Sequence, residues 1–222
     1  MKLLKQIPIT YKGELHEVKL INFSVNMEEV LPWVPAGIKV RDFNGKAIIS
    51  MVNVKLRNMR PTGLPRALSF DYQHVAFRLL VDDSGLNEGD HKGIFFLKSF
   101  SDKPMVVWSG NLMTNYGLSN AQINEAQGFI LDQGENFIRY KLTNRVATED
   151  KELKSVIGAI DRAYAMEEGR LMKTLIQRET WPIEQVDCVD FETNFFRSAK
   201  LLGAFEVKET IHYQWLAPEP VG

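Results

Sequence analysis

The sequence has almost none of the features that mark a disulfide-stapled, membrane-spanning or nucleic-acid-binding protein. It contains one cysteine, Cys188, so no disulfide can form within the chain, which suits a reducing compartment. No stretch approaches 18 consecutive apolar residues, and the first residues carry no apolar run of signal-peptide length. The formal net charge of −1 provides no basic surface for nucleic acid or for an anionic membrane. We therefore expect a cytoplasmic protein that binds neither nucleic acid nor a membrane.

Sequence motifs of catalysis are equally scarce. The four histidines are far apart, and no second ligand stands at metal spacing, so no metal site is predicted. The chain has no Gly-x-Ser-x-Gly, P-loop or Gly-x-Gly-x-x-Gly motif, and we predict no cofactor. Because we find neither a linker nor an internal repeat, we expect a single domain over residues 1–222. The sequence is compatible with a homo-oligomer but does not predict one.

Most of the chain alternates apolar and polar residues with a period of two, which is typical of β-strands. The pair Asn44-Gly45 predicts a type I′ hairpin turn, because both central residues of that turn need positive φ. The run at residues 94–97 is apolar throughout, as in a strand that is buried on both faces. Strands are predicted at residues 39–43, 46–58, 69–81, 93–100, 105–113, 136–142 and 205–215.

In one region the apolar residues are no longer spaced with a period of two. Between residues 151 and 177 the apolar residues recur at the i, i+3, i+4 and i+7 spacing that indicates an amphipathic helix. Gly158 and Gly169 interrupt this pattern, and they could divide the helix in two.

An ordered set of segments resembles the YqjF-like family, whose relatives include acetoacetate decarboxylase. The segments are residues 31–38 (LPWVPAGI), 41–50 (RDFNGKAIIS), 60–65 (RPTGLP), 72–81, 93–97 (GIFFL), 110–118 and 211–215 (IHYQW). The resemblance implies a β-rich α+β fold. It would be a mostly antiparallel, cone-like β-barrel with a few flanking helices around a small-molecule pocket.

The resemblance also implies which reaction is missing. Acetoacetate decarboxylase works through a Schiff-base lysine whose pKa is lowered by a dry pocket and a second cation. The letters that match this lysine pair are Ser119 and Asn120, and neither side chain can form an imine. The family carboxylate is replaced by His74, or by Gln73 if the register shifts by one residue.

Two polar residues on one predicted strand are candidates for a pocket. His74 and Arg78 are four residues apart, so both side chains project from the same strand face. Arg78 could bind a carboxylate bidentately, or it could point outward into solvent. His74 could likewise be a ligand-binding residue or a histidine without a role in the site.

Further candidates lie on the neighbouring segments. Lys98 follows the apolar run, and it could turn inward as a substitute amine or reach solvent at the end of its strand. Asn111, Asn115 and Tyr116 flank the position of the missing lysines, and together with Ser119 and Asn120 they complete the candidate pocket. Asn115 and Tyr116 could equally be turn residues.

Three functions remain in competition. The first is a small-molecule-binding or enzymatic β-barrel whose ligand is a small carboxylate or carbonyl compound. The second is a non-catalytic binding or regulatory module with a vestigial pocket, and the third is a decarboxylase-like lyase that uses Lys98. The sequence leaves open whether the protein is an enzyme.

Overall fold

The computed structural model describes residues 9–86, 91–113 and 117–221, and most of these residues lie in one mixed, mainly antiparallel sheet. The described strands are β1 Tyr11–Asn26, β2 Lys39–Val40, β3 Lys46–Pro61, β4 Phe70–Asp82, β5 Gly93–Ser101, β6 Leu118–Asn120, β7 Gln122–Asn124, β8 Phe129–Gln133, β9 Asn136–Val146, β10 Arg162–Glu167, β11 Arg170–Arg178, β12 Glu184–Thr193, β13 Lys200–Val207, β14 Ile211–Trp215 and β15 Glu219–Pro220. The described helices are α1 Met27–Val30, α2 Pro104–Met113 and α3 Lys151–Gly158, and short 3-10 turns cover Leu31–Trp33 and Arg66–Leu68.

Seven strands close into a ring, in the order β14, β11, β10, β5, β4, β3 and β1, with β1 pairing back onto β14. All neighbours in this ring are antiparallel except β5 and β10, which are parallel. Closure pairs both edges of every ring strand and leaves none exposed. The β-rich α+β prediction is confirmed. The ring is not a clean barrel, however, because the same sheet continues from β1 through β13, β12, β9, β8 and β7, and we call this continuation the second sheet.

Two hydrophobic cores lie on opposite faces of the ring strands. Along β4, Val75, Phe77 and Leu79 face an outer core between the ring and the second sheet. Ala76 and Leu80 face an inner core inside the ring. Only residues 47–54 of β3 and 75–81 of β4 are buried on both faces, and these segments are mostly apolar, so the charged residue Arg78 stands out within them.

The hairpin turn at Asn44-Gly45 is confirmed in its local geometry. Asn44 and Gly45 have φ values of 53° and 79°, and Phe43 bridges to Lys46 across the turn. The preceding strand does not pair with β3, however, because β2 pairs with β4.

The strand predicted at residues 105–113 is wrong, since this segment is the helix α2. Pro104 occupies the first helical position, where its missing N–H costs no hydrogen bond. Val106 is buried, whereas Met105 and Trp108 are 83% and 69% exposed. A short apolar run has no period that distinguishes strand from helix, which explains the error.

The long helix predicted at residues 151–177 is also wrong beyond Gly158. The side chain of Asp150 accepts a hydrogen bond from the Leu153 N–H at 2.9 Å and caps a helix of only eight residues. The chain then forms the hairpin β10–β11, with a two-residue turn in which Glu168 and Gly169 have φ values of 49° and 79°. Similarly, residues 205–215 form parts of two strands, β13 and β14. None of the helices in the described ranges is long and apolar enough to cross a membrane.

A buried polar cluster joins the end of β4 to β5 and β10, at the one parallel pair of strands in the ring. Asp83 is 1% exposed, and its Oδ2 atom accepts a hydrogen bond from the Tyr164 hydroxyl at 2.9 Å. The Arg162 Nε atom lies 3.6 Å from the same oxygen, and the Gly93 N–H donates to Oδ1 at 3.4 Å. Removing one partner from such a cluster leaves a buried charge uncompensated, so the cluster stabilises the closed ring.

We expect Gly93→Ala to destabilise the protein, because a Cβ atom at this position would lie 2.6 Å from both Asp83 Oδ2 and Tyr164 Cε2. Overpacking of this kind typically costs about 1–3 kcal/mol. Urea denaturation measures the loss. The matched control is Gly85→Ala, where a new Cβ meets no atom within 4 Å. Equal stability of the two variants would contradict the tight packing at the pair of β5 and β10.

Candidate functional site

The inner core encloses a cavity of about 330 Å³, which is near the lower end of the roughly 300–1,000 Å³ range for ligand pockets. Its wall is formed by inward-facing side chains of the ring strands together with β6, α2 and the segments that follow α3 and β11. The lining residues are Tyr11, Leu15, Val18, Val52, Val54, Leu56, Met59, Phe70, Tyr72, His74, Arg78, Ile94, Phe96, Val106, Gly110, Leu118, Ile160, Ile176, Arg178, Trp181, Tyr213 and Trp215.

Arg78 is a buried cation in this apolar wall. Its side chain extends from β4 and is 6% exposed. The Nε atom donates to the backbone oxygen of Ser50 at 3.0 Å, and Nη2 donates to the Ser50 hydroxyl at 2.8 Å. Burial, with a contribution from the charge of Arg178, lowers the pKa of Arg78 to about 9. The guanidinium is therefore still protonated at neutral pH, and neutral oxygens hold it in place.

Arg178 supplies a second cation from the end of β11. Its Nη2 atom donates to the backbone oxygens of Gly158 and Ile160, both at 2.9 Å. The guanidinium carbon lies 4.2 Å from the centre of the Trp181 ring, in a cation–π arrangement. Burial lowers the pKa of Arg178, and the charge of Asp161 opposes that shift.

The described lining residues include no aspartate, glutamate or lysine. Arg178 also borders a surface groove of about 470 Å³, whose wall carries Glu14 and Glu179. Carboxylates are thus present outside the cavity on the side of Arg178, and the charge of Asp161 also acts on Arg178, but the described cavity wall itself contains no carboxylate. Such a wall favours an anion over a cation.

Neutral polar groups form another part of the wall. The His74 ring centre lies 6.0 Å from that of Tyr72, and burial, followed by the charge of Arg78, lowers the pKa of His74 to about 4. Burial raises the pKa of both Tyr72 and Tyr11, and Tyr11 adds to the shift of Tyr72. At neutral pH this part of the cavity therefore presents an uncharged imidazole and two intact phenols.

Three buried polar atoms of the cavity residues have no hydrogen-bond partner among the described residues. They are the Tyr11 hydroxyl, His74 Nε2 and Trp181 Nε1. A buried polar atom without a partner costs about 1–3 kcal/mol, so such atoms are uncommon in proteins and need an explanation. A ligand that bonds to them would supply one.

The predicted common face of His74 and Arg78 is present, since both side chains line the cavity. Arg78 does not point outward into solvent. Which ligand these residues bind, and whether they bind one, remains a prediction.

Lys98 does not line the cavity, so of its two alternatives the structure excludes the one in which it turns inward as a substitute amine. Arg78 pairs with Phe96, but Phe77 pairs with Lys98, which leaves Leu97 as an extra residue in β5. Such a bulge reverses the alternation of side chains between the two faces. The Lys98 Nζ atom lies on the other side, 4.7 Å from the centre of the Trp33 ring.

Asn111 has a structural role instead of facing the cavity. Its side-chain amide donates to the backbone oxygen of Leu118 at 2.7 Å and accepts from the Leu118 N–H at 2.7 Å. These two bonds fasten α2 to β6, so that Leu118 faces the cavity.

The positions of the missing lysines also lie away from the cavity wall. Ser119 and Asn120 pair with Phe100 and Ser101 of β5, and neither belongs to the lining. Asn115 and Tyr116 lie outside the described residues.

The sequence patterns missed Arg178, Trp181, Tyr11 and Tyr72. Arg178 was hidden by the helix predicted over its strand, although Gly169 marks the turn after which Ile176 and Arg178 alternate inward. Tyr72 is two residues from His74 on β4 and therefore lies on the same strand face. The alternation of side chains alone could have placed it among the candidate pocket residues.

We expect His74 to make stability depend on pH below neutrality. Its pKa is about 4 in the folded protein and about 6.5 ordinarily, so the unfolded chain takes up the proton first as pH falls. The free energy of unfolding should therefore decrease between pH 6.5 and 4, by up to roughly 3 kcal/mol from this residue. His74→Gln should flatten that dependence in urea denaturation.

The control for this prediction is His212→Gln, because His212 is exposed. Carboxyl groups titrate in the same window in all three proteins, so the difference between the curves isolates His74. Parallel curves for the parent and His74→Gln would show that the imidazole is not desolvated.

Comparison with known proteins identifies both the family and the fold. The profile of DUF2071, described as an uncharacterized conserved protein, matches residues 12–215. No curated protein matches the sequence.

Three similar solved structures have the same overall architecture. An acetoacetate decarboxylase-like enzyme from Sphingomonas wittichii RW1 is 13% identical, with a TM-score of 0.66 over 97% of this chain and 93% of that one. The enduracididine biosynthesis enzyme MppR, complexed with pyruvate, is 12% identical, with a TM-score of 0.67 over 97% and 91%. The acetoacetate decarboxylase of Legionella pneumophila is 12% identical, with a TM-score of 0.67 over 96% and 87%. At these identities the likeness establishes the fold alone, whereas the match to the family profile covers more than half of the sequence. The chain therefore belongs to the DUF2071 family and has an acetoacetate-decarboxylase-like fold, as the resemblance predicted.

Proposed function

We propose that this protein binds a small organic carboxylate in the cavity of the seven-stranded ring, and that it does so without forming a Schiff base. The observation that carries the proposal is the buried Arg78 guanidinium, with Arg178 nearby, in a described wall that has no acidic residue. Burying a cation without a counter-charge is costly. A bound carboxylate would offset that cost and could accept charge-assisted hydrogen bonds from both arginines.

The rest of the cavity wall is suited to a ligand whose carboxylate is attached to an apolar organic group. Most lining side chains are aliphatic or aromatic, and the volume of about 330 Å³ suits a metabolite-sized molecule. The names of the structural relatives point in the same direction, since one is an acetoacetate decarboxylase and another was complexed with pyruvate. Both compounds are small oxo carboxylates, which fits a carboxylate as the ligand class.

The chemistry of the wall favours non-covalent binding. A Schiff base needs an amine, and the described lining residues include no lysine. The uncharged lining side chains that can donate or accept a proton are His74 and three tyrosines, so proton transfer is the chemistry that they could supply to a bound ligand. A vestigial pocket is the weaker alternative, because the cavity remains open and retains a desolvated charge.

We expect Arg78→Met to weaken carboxylate binding strongly while the ligand-free protein stays folded, because removal of a buried charge offsets the loss of the two hydrogen bonds to Ser50. Methionine fills similar space without a charge to bury, and such replacements are often neutral or stabilising. Isothermal titration with pyruvate, acetoacetate and 3-phenylpropionate at low salt measures binding. The loss should exceed tenfold in Kd, since a hydrogen bond to a charged group contributes about 1.5–3 kcal/mol.

The matched control is Arg139→Met, because Arg139 is exposed and pairs with Glu192 at the surface. Binding to the control should equal binding to the parent, and it should be tested in parallel with 3-phenylpropionamide, which lacks the negative charge. Equal affinity for the acid and the amide, or undiminished binding to Arg78→Met, would refute an anion site at Arg78.

Borohydride reduction in the presence of acetoacetate tests the absence of Schiff-base chemistry. We expect intact-protein mass spectrometry to show no reduced adduct at neutral pH, because Ser119 and Asn120 supply no amine and Lys98 lies outside the cavity. An adduct that peptide mapping places on Lys98, and that Lys98→Arg removes, would restore the lyase hypothesis.

A further inference from the structure

We infer that the cavity has a second binding subsite, formed by Tyr11, Tyr72 and His74, which selects a carboxylate that also carries an uncharged hydroxyl or carbonyl oxygen. This inference rests on the proposed carboxylate site and goes further, because it specifies the ligand's other functional group. The ligand would be a hydroxy- or oxo-acid with an apolar body between its two polar ends.

The Tyr11 hydroxyl is the first observation that points to such a group. Tyr11 is 8% exposed, its hydroxyl oxygen is buried, and it has no hydrogen-bond partner among the described residues. Tyr140 shows the ordinary situation for a buried tyrosine in this protein, because its hydroxyl accepts from Asn53 Nδ2 at 3.2 Å. A phenol in an apolar wall without a partner is unfavourable in the ligand-free protein, and it becomes favourable when a ligand oxygen reaches it.

His74 provides a second, independent observation. Its Nε2 atom is buried and has no partner among the described residues, and its ring lies beside that of Tyr72. The imidazole can donate or accept one hydrogen bond at Nε2, depending on its tautomer, while each phenol can do both. Such a set matches a hydroxyl or a carbonyl oxygen, and it contains no fixed charge to attract a second carboxylate or an ammonium group.

The layout of β4 separates the two ends of the ligand. Tyr72 and His74 precede Arg78 by six and four residues on the same strand face, which corresponds to about 13–20 Å between Cα atoms. The long arginine side chain shortens that span inside the cavity. A ligand that reaches both ends therefore needs several bonds between its carboxylate and its neutral oxygen, and an apolar middle to contact Val52 and Val54.

Matched pairs of acids test the second subsite. The probes are 3-(4-hydroxyphenyl)propionate against 3-phenylpropionate, and 5-oxohexanoate against hexanoate, with Kd values measured by isothermal titration. We expect the oxygen-bearing member of at least one pair to bind about tenfold more tightly to the parent. Tyr11→Phe/Tyr72→Phe should reduce this preference to about one while still binding the plain acids.

The stability of the ligand-free protein distinguishes a hydroxyl group that binds a ligand from one that stabilises the fold. Tyr11→Phe removes an oxygen without a partner, so its Tm should equal or exceed that of the parent. The control Tyr140→Phe removes the hydrogen bond to Asn53, so its Tm should fall while the ligand preference stays unchanged.

The outcomes separate the two proposals. If all the acids bind and neither pair is discriminated, or if the tyrosine double variant keeps the discrimination, the second subsite is wrong while the carboxylate site stands. If Tyr11→Phe lowers the Tm as Tyr140→Phe does, the Tyr11 hydroxyl has a partner within the protein and the inference fails. If no acid binds, both proposals fail.

Discussion

The structure depends on one long strand, β1, which pairs with β3 along one edge and with two different strands in succession along the other edge. Residues 11–15 of β1 pair with β14 and complete the ring, whereas residues from Val18 onward pair with β13 and lead into the second sheet. The change of partner coincides with an irregularity after His16, where Glu17 has a φ of 51°. An inserted residue reverses the alternation of faces, so Tyr11 and Leu15 face the cavity before it, and Val18 does so after it.

Closure of the ring explains why the cavity residues have unusual properties. Once both edges of every ring strand are paired, inward-facing side chains are separated from bulk water by the sheet itself. Desolvation is accordingly the largest cause of the lowered pKa values of Arg78 and His74 and of the raised pKa of Tyr72. The three residues lie on one face of β4, and the buried neighbours of Arg78 on this strand, from Val75 to Leu80, are apolar. Polar residues in such a buried strand reduce the stability of the protein. Residues that reduce stability in this way are found mainly at functional sites.

The sequence predicted some parts of this arrangement because they depend on local rules. The turn at Asn44-Gly45 needs only two residues with positive φ, and the shared face of His74 and Arg78 needs only strand parity. The hairpin β10–β11 was missed because Leu171, Met172, Leu175 and Ile176 follow a helical spacing, although Thr174 is buried in this strand and Leu175 is exposed. Whether such a segment forms a helix or a strand depends on its pairing with other strands. That pairing involves residues far apart in the sequence, so local periodicity does not predict it.

The bulge in β5 is the clearest case of a site residue that sequence periodicity misplaces. Simple alternation from Ile94 and Phe96 would bring Lys98 into the cavity as an amine beside Arg78. The extra residue at Leu97 instead turns Lys98 onto the aromatic rings of Trp33 and Phe195, at 4.7 and 5.8 Å. One inserted residue therefore decides whether the cavity wall contains an amine that could react with a carbonyl group, or only guanidinium groups, which do not form imines. In this fold the identity of the residues does not tell which of them line the cavity, because the register of β5 determines which side chains face it.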